Sequence, residues 1–194
     1  MIEEPRERTG DGAAVLRIRR AQMSDLAAIV EIECQSFTTP WPVEDLRDEL
    51  AGVARGTYFV AELQAQGAAA HVIGYIGMWF FVGEAHIGTV AVARQYRERG
   101  FGEALLLTLL DYAVRHGGTF ATLEYRISNL PAARLYDKYG FTPTRIRKGY
   151  YTDTREDAVE VVMRDLGTPE GQLRLRNLRR DWHRRHAEEL VVDV

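Results

Sequence analysis

The stretch that most constrains this chain is "TVAVARQYRERGFGEALLLTLL", Thr89 to Leu110. An apolar extended run breaks at an arginine-rich turn. Two glycines one residue apart, Gly100 and Gly102, then stand directly before a leucine-rich helix predicted over about 102–115. Leucines occupy most faces of that helix, so it is largely buried. A strand feeding a buried helix through a tight turn belongs to a layered α/β architecture. Glycines at such a junction permit close backbone approach, and the helix N-terminus offers free N–H groups to an anion. Phosphate is the natural guest, with Arg97 and Arg99 alongside. A P-loop would need Gly-Lys-Ser/Thr, whereas Glu103 follows Gly102; a dinucleotide fingerprint would need a third glycine where Leu105 stands. On these residues alone the segment also reads as an ordinary turn with solvated arginines.

The remaining pattern supplies the layers. "VLRIRRA" alternates Leu16 and Ile18 with arginines, as a strand does. Ser24 is placed to cap a helix whose Leu26, Ile29, Val30 and Ile32 recur at helical spacing. A second helix restarts in "TTPWPVEDLRDEL", with Pro42 in its first turn. "TYFVAEL" and "HVIGYIGMWFFV", joined by "QAQGAA", read as a hairpin, and "AHIGTVAV" is the strand entering the glycine turn. "TFATLEYRI" is a further strand, and "NLPAARLYDKYG" a short helix capped by Asn129 and stopped by Gly140. Residues 141–150 and 158–164 are two closing strands. The order βααβββαβαββ predicts an α/β domain over 15–166, a mixed sheet flanked by helices. Residues 1–14 form a loose tail, and 167–194 a separate basic amphipathic helix after the breaker "GTPEGQ". A length of 194 residues suits one such domain.

With 46% hydrophobic and 27% charged residues, the composition is that of a soluble globular protein, and a formal net charge of -3 gives no global pull toward DNA. No apolar run nears the roughly 18 residues of a membrane span. "MIEEPRERTGDGAA" lacks the apolar core of a signal peptide. A cytoplasmic protein without a membrane partner is expected. Cys34, the single cysteine, cannot form an internal disulfide; set in "AAIVEIECQSF", it is expected to be buried and inert. His183 and His186 share a helical face without a third ligand, so no metal is expected.

Longer motifs point to a family. Arg97-x-x-Gly100-x-Gly102 after "TVAVARQY" resembles the acetyl-CoA pyrophosphate loop of the GCN5-related N-acetyltransferases (GNAT), whose order of strands and helices is also similar. "LEYRISNLPAARLYDKYGF" resembles the ribosomal-protein alanine N-acetyltransferases of the RimI type, whose pattern is L-E-V-R-x-S-N-x-x-A-x-x-L-Y-x-x-x-G-F. "FTTPWPVEDL" and "GYYTDTREDAVEVVM" are similar to that group's substrate-side segments. The resemblance covers about residues 15–166. Tyr125 stands where valine is usual, and the loop "YYTDTRED" is a little short; both bear on peptide specificity rather than on the reaction.

The resemblance implies a GNAT fold with a mostly antiparallel sheet. It implies acetyl-CoA as co-substrate, and direct transfer of acetyl to the N-terminal alanine of ribosomal protein S18. The pyrophosphate would rest on N–H groups of about Arg99 to Glu103, making Arg97, Glu98, Arg99, Gly100, Phe101, Gly102 and Glu103 the expected cofactor loop. The family's pantetheine lies along Val90, Ala91 and Val92, with the Val92 N–H as oxyanion donor. Glu124 takes the role of general base through water, with burial expected to raise its pKa. Tyr136 takes that of general acid, a phenol near pKa 10 donating to a thiolate near 8.5. Without the resemblance, Glu124 equally reads as a surface charge and Tyr136 as a core aromatic. Asn129, seven residues before Tyr136 and so on nearly the same face, caps its helix and is placed to reach the cofactor. Trp41, Tyr150 and Tyr151 are expected walls of the peptide groove, or simple packing aromatics. An α-amine near pKa 7.7–8.0 is roughly a third neutral at pH 7.5, against roughly 0.1% for lysine, so an α-amine needs only modest help from a base.

The last helix carries six arginines from Arg174 to Arg185 against one acid, Asp181. It reads either as a solvated face anchored by Trp182 or as a contact to ribosomal RNA or a partner subunit. Two other functions fit the sequence. One keeps the chemistry but acts on broader N-termini, lysines or small amines; the other is a CoA-binding sensor or ribosome-binding module without turnover.

Overall fold

The computed structural model describes residues 14–186 and 189–194. Most of the tail expected over 1–14 therefore lies outside the described residues. Alternation along β2 (Gly56–Gln64) sets the layers. Phe59, Ala61 and Leu63 turn to one face and Tyr58 and Val60 to the other, all buried. A strand buried on both faces needs helices on both. One face receives α1 (Leu26–Ser36) and α2 (Val43–Leu50) through Ile29, Ile32 and Leu46. The other receives α3 (Phe101–Arg115), with α4 (Leu130–Tyr139) and α5 (Pro169–Arg185) beside it.

The other strands are β1 (Val15–Arg20), β3 (His71–Phe80), β4 (Glu84–Val92), β5 (Phe120–Arg126), β6 (Thr142–Tyr151), β7 (Glu156–Met163) and β8 (Glu189–Asp193). They form one sheet in the order β6-β7-β5-β4-β3-β2-β1-β8, antiparallel except at β4–β5 and β1–β8. This is the mixed, mostly antiparallel α/β class expected. The parallel β4–β5 register runs only from Glu84↔Phe120 to Ile87↔Leu123. Beyond it β4 stays with β3 as far as Gly74↔Val92, after a register shift at Gly77/Met78, while β5 stays with β7 as far as Arg126↔Ala158. β4 and β5 therefore part, and the sheet opens from Gly88 and Glu124 onward.

Three local expectations need correction. Residues 167–194 are not one separate helix: α5 ends at Arg185, and β8 adds to the sheet beside β1. Leu175, Leu178 and Trp182 pack into the main core, covering the side of α3 that the sheet does not, which is why Leu105, Leu106, Leu107, Leu109 and Leu110 are all fully buried. Cys34 is exposed. Helical geometry turns Glu33 inward instead, where the Tyr75 hydroxyl and the Trp41 N–H (2.9 Å) donate to it. Ser24 does not cap α1; its neighbour Asp25 closes the preceding 3-10 turn by accepting from the Gln22 N–H at 2.8 Å and from both Arg19 terminal nitrogens.

Candidate active site

Where β4 and β5 part lies a cavity of about 510 Å³. Gly88 to Val90 form one side and Leu123 to Arg126 the other, with Asn129, Ala132 and Tyr136 of α4 at one end and aromatic loops at the other. The candidates Glu124, Tyr136, Asn129, Val90, Trp41, Tyr150 and Tyr151 all line this one space. Ala91, Val92 and the loop 97–103 do not line it; they continue from the end of β4.

Glu124 is largely buried, with its side chain 12% exposed. It does not sit in an apolar pocket, as burial alone would suggest. Arg147 Nη1 donates to its Oε1 at 2.7 Å, and His86 Nε2 lies 3.7 Å from its Oε2. Behind His86 runs a polar chain: its Nδ1 bonds Thr122 Oγ1 at 2.9 Å, and that hydroxyl donates to Glu84 at 2.5 Å. A hydroxyl that donates onward accepts at its oxygen, so His86 donates from Nδ1 and turns Nε2 toward Glu124.

Tyr136 is buried, edge-on to Phe141 and tilted against Tyr125. Among the described residues no group hydrogen-bonds its hydroxyl, unlike Tyr139, whose hydroxyl turns to Glu103. Burial, reinforced by the nearby Tyr151 and Tyr125, holds the Tyr136 phenol well above its usual pKa. Asn129 caps α4 by accepting from the Ala132 N–H at 3.1 Å, as expected.

The aromatic wall is larger than the sequence reading had it. Trp41 stacks on Trp79 (centroids 5.5 Å), and Trp79 on His86 (6.0 Å). Gly88 is required here, since a Cβ would overlap the Trp79 ring. Trp79 Nε1 is held by Glu49 at 2.9 Å. Arg147 lies over Tyr150 (4.3 Å) and Arg126 over Tyr151 (3.9 Å). Arg126 also donates to Asp153 at 2.7 Å and to Thr154 at 2.8 Å, while the Thr38 hydroxyl donates to Asp153. The α1–α2 loop and the β6–β7 loop are thereby latched together beside the cavity. Burial pushes the Tyr151 phenol up to about 12, despite Arg126. The buried Glu33 carboxyl, which also lines the cavity, sits above its ordinary range because burial outweighs its two donors.

The glycine turn enters α3 through left-handed backbone. Glu98 (φ 62°) and Gly100 (φ 77°) both take left-handed backbone. The first bond of α3 runs from the Ala104 N–H to the Gly100 carbonyl at 3.0 Å, so the N–H groups before Ala104 fall outside the helical ladder. Arg97 ties the turn inward, donating to the Val92 carbonyl and to Ser36, both at 2.9 Å. Arg99 lies over the Phe101 ring at 4.9 Å. Sequence reasoning missed Glu33, Trp79, His86, Arg126, Arg147 and Asp153. Glu33 carried a signal as a carboxylate four residues after Ile29 on an apolar stripe, and Arg126 and Asp153 stood within family-like segments without a role assigned to them.

A sheet parted between β4 and β5, with a helix start at the end of one strand and a carboxylate and a tyrosine lining the same cavity, is the arrangement of an acyl-transferring fold. The chain belongs to the acetyltransferase (GNAT) family, whose model matches residues 26–141, and is an acetyl-transferring enzyme. Among similar proteins, the Escherichia coli ribosomal protein bS18-alanine N-acetyltransferase is 33% identical over 75% of this chain and 95% of its own. A Sulfurisphaera tokodaii N-alpha-acetyltransferase is 33% identical over 73% of this chain and 89% of its own. The crystal structure of the Escherichia coli ribosomal-protein-S18-alanine N-acetyltransferase superposes with a TM-score of 0.68 at 29% identity, covering 78% of this chain and 94% of that one.

Proposed function

We propose that this enzyme transfers acetyl from acetyl-CoA to the N-terminal α-amine of a protein, the N-terminal alanine of ribosomal protein S18, in the cytoplasm. The observation that carries the reading is that Glu124 and Tyr136 face one cavity at the parting of β4 and β5. The activity named for the Escherichia coli relatives supplies the acceptor. Acetyl-CoA brings an activated thioester carbonyl. The N–H groups of Arg99 to Glu103 would hold its pyrophosphate. The β5-facing backbone of Gly88 to Val92, which pairs with no strand on that side among the described residues, would hold its amides. Glu124 takes the proton of the incoming ammonium through water, with His86, Thr122 and Glu84 leading away from it. As the C–N bond forms and the C–S bond breaks, Tyr136 donates a hydrogen bond to the departing sulfur, and the second proton lost by the nitrogen neutralises that sulfur, so that coenzyme A leaves as the thiol. The raised pKa of Tyr136 means that it stabilises charge there rather than surrendering its proton outright.

The loops latched by Thr38, Asp153 and Arg126 favour a flexible chain end over a mid-chain lysine. Mass spectrometry of synthetic peptides incubated with enzyme and acetyl-CoA tests this. An alanine-starting S18 peptide should be acetylated, and methionine-starting and N-blocked lysine peptides left largely unmodified. Reaction of the lysine peptide alone would overturn the α-amine reading.

A further inference from the structure

The glycine turn is not self-supporting. Left-handed backbone at the non-glycine Glu98, two positions before the left-handed Gly100, persists only where the surroundings over-determine it. Besides the Arg97 contacts to Val92 and Ser36, residues 182–186, beyond the family match at 26–141, brace the turn at Gly100. Trp182 is fully buried, and its Nε1–H donates to the Gly100 carbonyl at 2.9 Å, the same oxygen that accepts the first bond of α3. His186 donates from Nδ1 to the Trp182 carbonyl at 2.7 Å and stacks on the Trp182 ring (4.3 Å, 16°). Its ring fills the space into which a Gly100 side chain would point.

Charge adds a second, independent reason. Glu103 places a carboxylate in the first turn of α3, where it competes with any anion for the positive helix end. It is turned inward and nearly buried. Arg185 Nη2 donates to both its oxygens, at 3.1 and 3.0 Å, and Lys138 pairs with it as well. The C-terminal segment thus both fixes the backbone of the turn and compensates the negative charge beside it.

We propose that Trp182, Arg185 and His186 are positioning residues for coenzyme A, holding the turn in its phosphate-accepting form. The inference rests on the reading that this turn takes the CoA pyrophosphate. Arg174, Arg179 and Arg185 of α5 pair off the helix with Asp165, Asp111 and Glu103, while the exposed Arg184 pairs with Asp181 of the helix itself; the alternative reading of a ribosomal RNA contact finds no support in these pairs.

Calorimetry of CoA with the full-length protein tests the inference, together with acetyl-CoA kinetics. Trp182→Phe keeps an aromatic ring, though a smaller one, and removes the donor; it should weaken CoA by about five- to tenfold and raise KM for acetyl-CoA with kcat unchanged. Arg185→Gln should weaken CoA by roughly threefold at low salt, less at high salt. Adding Glu103→Gln should restore affinity, because the charge needing compensation is gone. Asp111→Asn, which loosens α5 from α3 away from the turn, should lower Tm and leave CoA affinity unchanged. Wild-type affinity in both Trp182→Phe and Arg185→Gln would overturn the proposal while leaving the pyrophosphate reading intact. A wild-type protein that binds no CoA would overturn both.

Discussion

At the level of single residues, the proposed chemistry separates the two groups that face the cavity. Glu124→Gln removes the proton acceptor and should cost about 10²–10⁴ in kcat/KM near neutral pH. An α-amine near pKa 8 deprotonates unaided as pH rises, so the deficit should shrink between about pH 7 and 9. A deficit independent of pH would mean that Glu124 binds the substrate rather than taking its proton. Tyr136→Phe should lose about 10²-fold in kcat with little change in KM, as when one donor to a developing charge is deleted. Because the phenol is held above its usual pKa, it stays protonated throughout that range and should add no basic limb to the wild-type rate profile. What the sequence could and could not disclose is plain at Glu33 and Cys34. The helical period marks the inward face, but adjacent residues are only about 100° apart, and polarity would place the thiol inside and the carboxylate outside. The reverse holds because two donors, the Tyr75 hydroxyl from β3 and the Trp41 N–H from the loop after α1, meet the carboxylate there. Glu124 and Tyr136 were legible only through a motif; the partners of Glu124, His86 and Arg147, come from β4 and β6, and no local pattern announces them.

Between elements, the cavity is a product of strand pairing and of two loops. The parting of β4 from β5 follows from where each strand finds its other partner, which is a long-range fact that periodicity does not encode. The strands themselves, the glycine turn and the Asn129-capped α4 were each readable, because caps, glycines and alternation are local signals. The latch between the α1–α2 and β6–β7 loops was not, since Thr38, Arg126 and Asp153 are widely spaced along the chain. Asp153 is its hinge point, and Arg126 holds its carboxyl below the ordinary range, so the pair stays charged at any working pH. Asp153→Ala should leave Arg126 stacked on Tyr151 but free the α1–α2 loop. We expect KM for the alanine peptide to rise by about three- to tenfold, the loss of one or two charged hydrogen bonds in positioning. The ratio of lysine to α-amine acetylation, read by mass spectrometry, should rise as the groove widens. An unchanged ratio would show that the latch does not set acceptor class.

For the whole molecule, α3 explains why the C-terminal segment exists. A helix with buried leucines all round needs a cover on each side, and α5 supplies the second, returning the chain to the far edge of the sheet as β8. There β8 covers β1, which would otherwise be an open edge, and Arg17 pairs with Asp193 across the seam. The sequence showed α5 as an amphipathic helix, but β8 has only five residues and a half-exposed pattern, too short to announce a strand. This seam allows global stability and cofactor positioning to be told apart. The Glu189 N–H donates to the Ala14 carbonyl at 3.0 Å, so by alternation the Val191 N–H also faces β1. Val191→Pro deletes that donor and should lower stability by about 1–2 kcal/mol, or roughly 3–8 °C in Tm for a chain of this size. A ligand that binds only the folded state adds stability set by its concentration over its Kd, whatever the baseline. If β8 merely closes the sheet, the increment in Tm from saturating CoA should match that of wild type. If β8 also anchors the end of α5 against the glycine turn, CoA binds more weakly and the increment shrinks. Given the contacts of Trp182, Arg185 and His186 with Gly100 and Glu103, the smaller increment is the expected outcome.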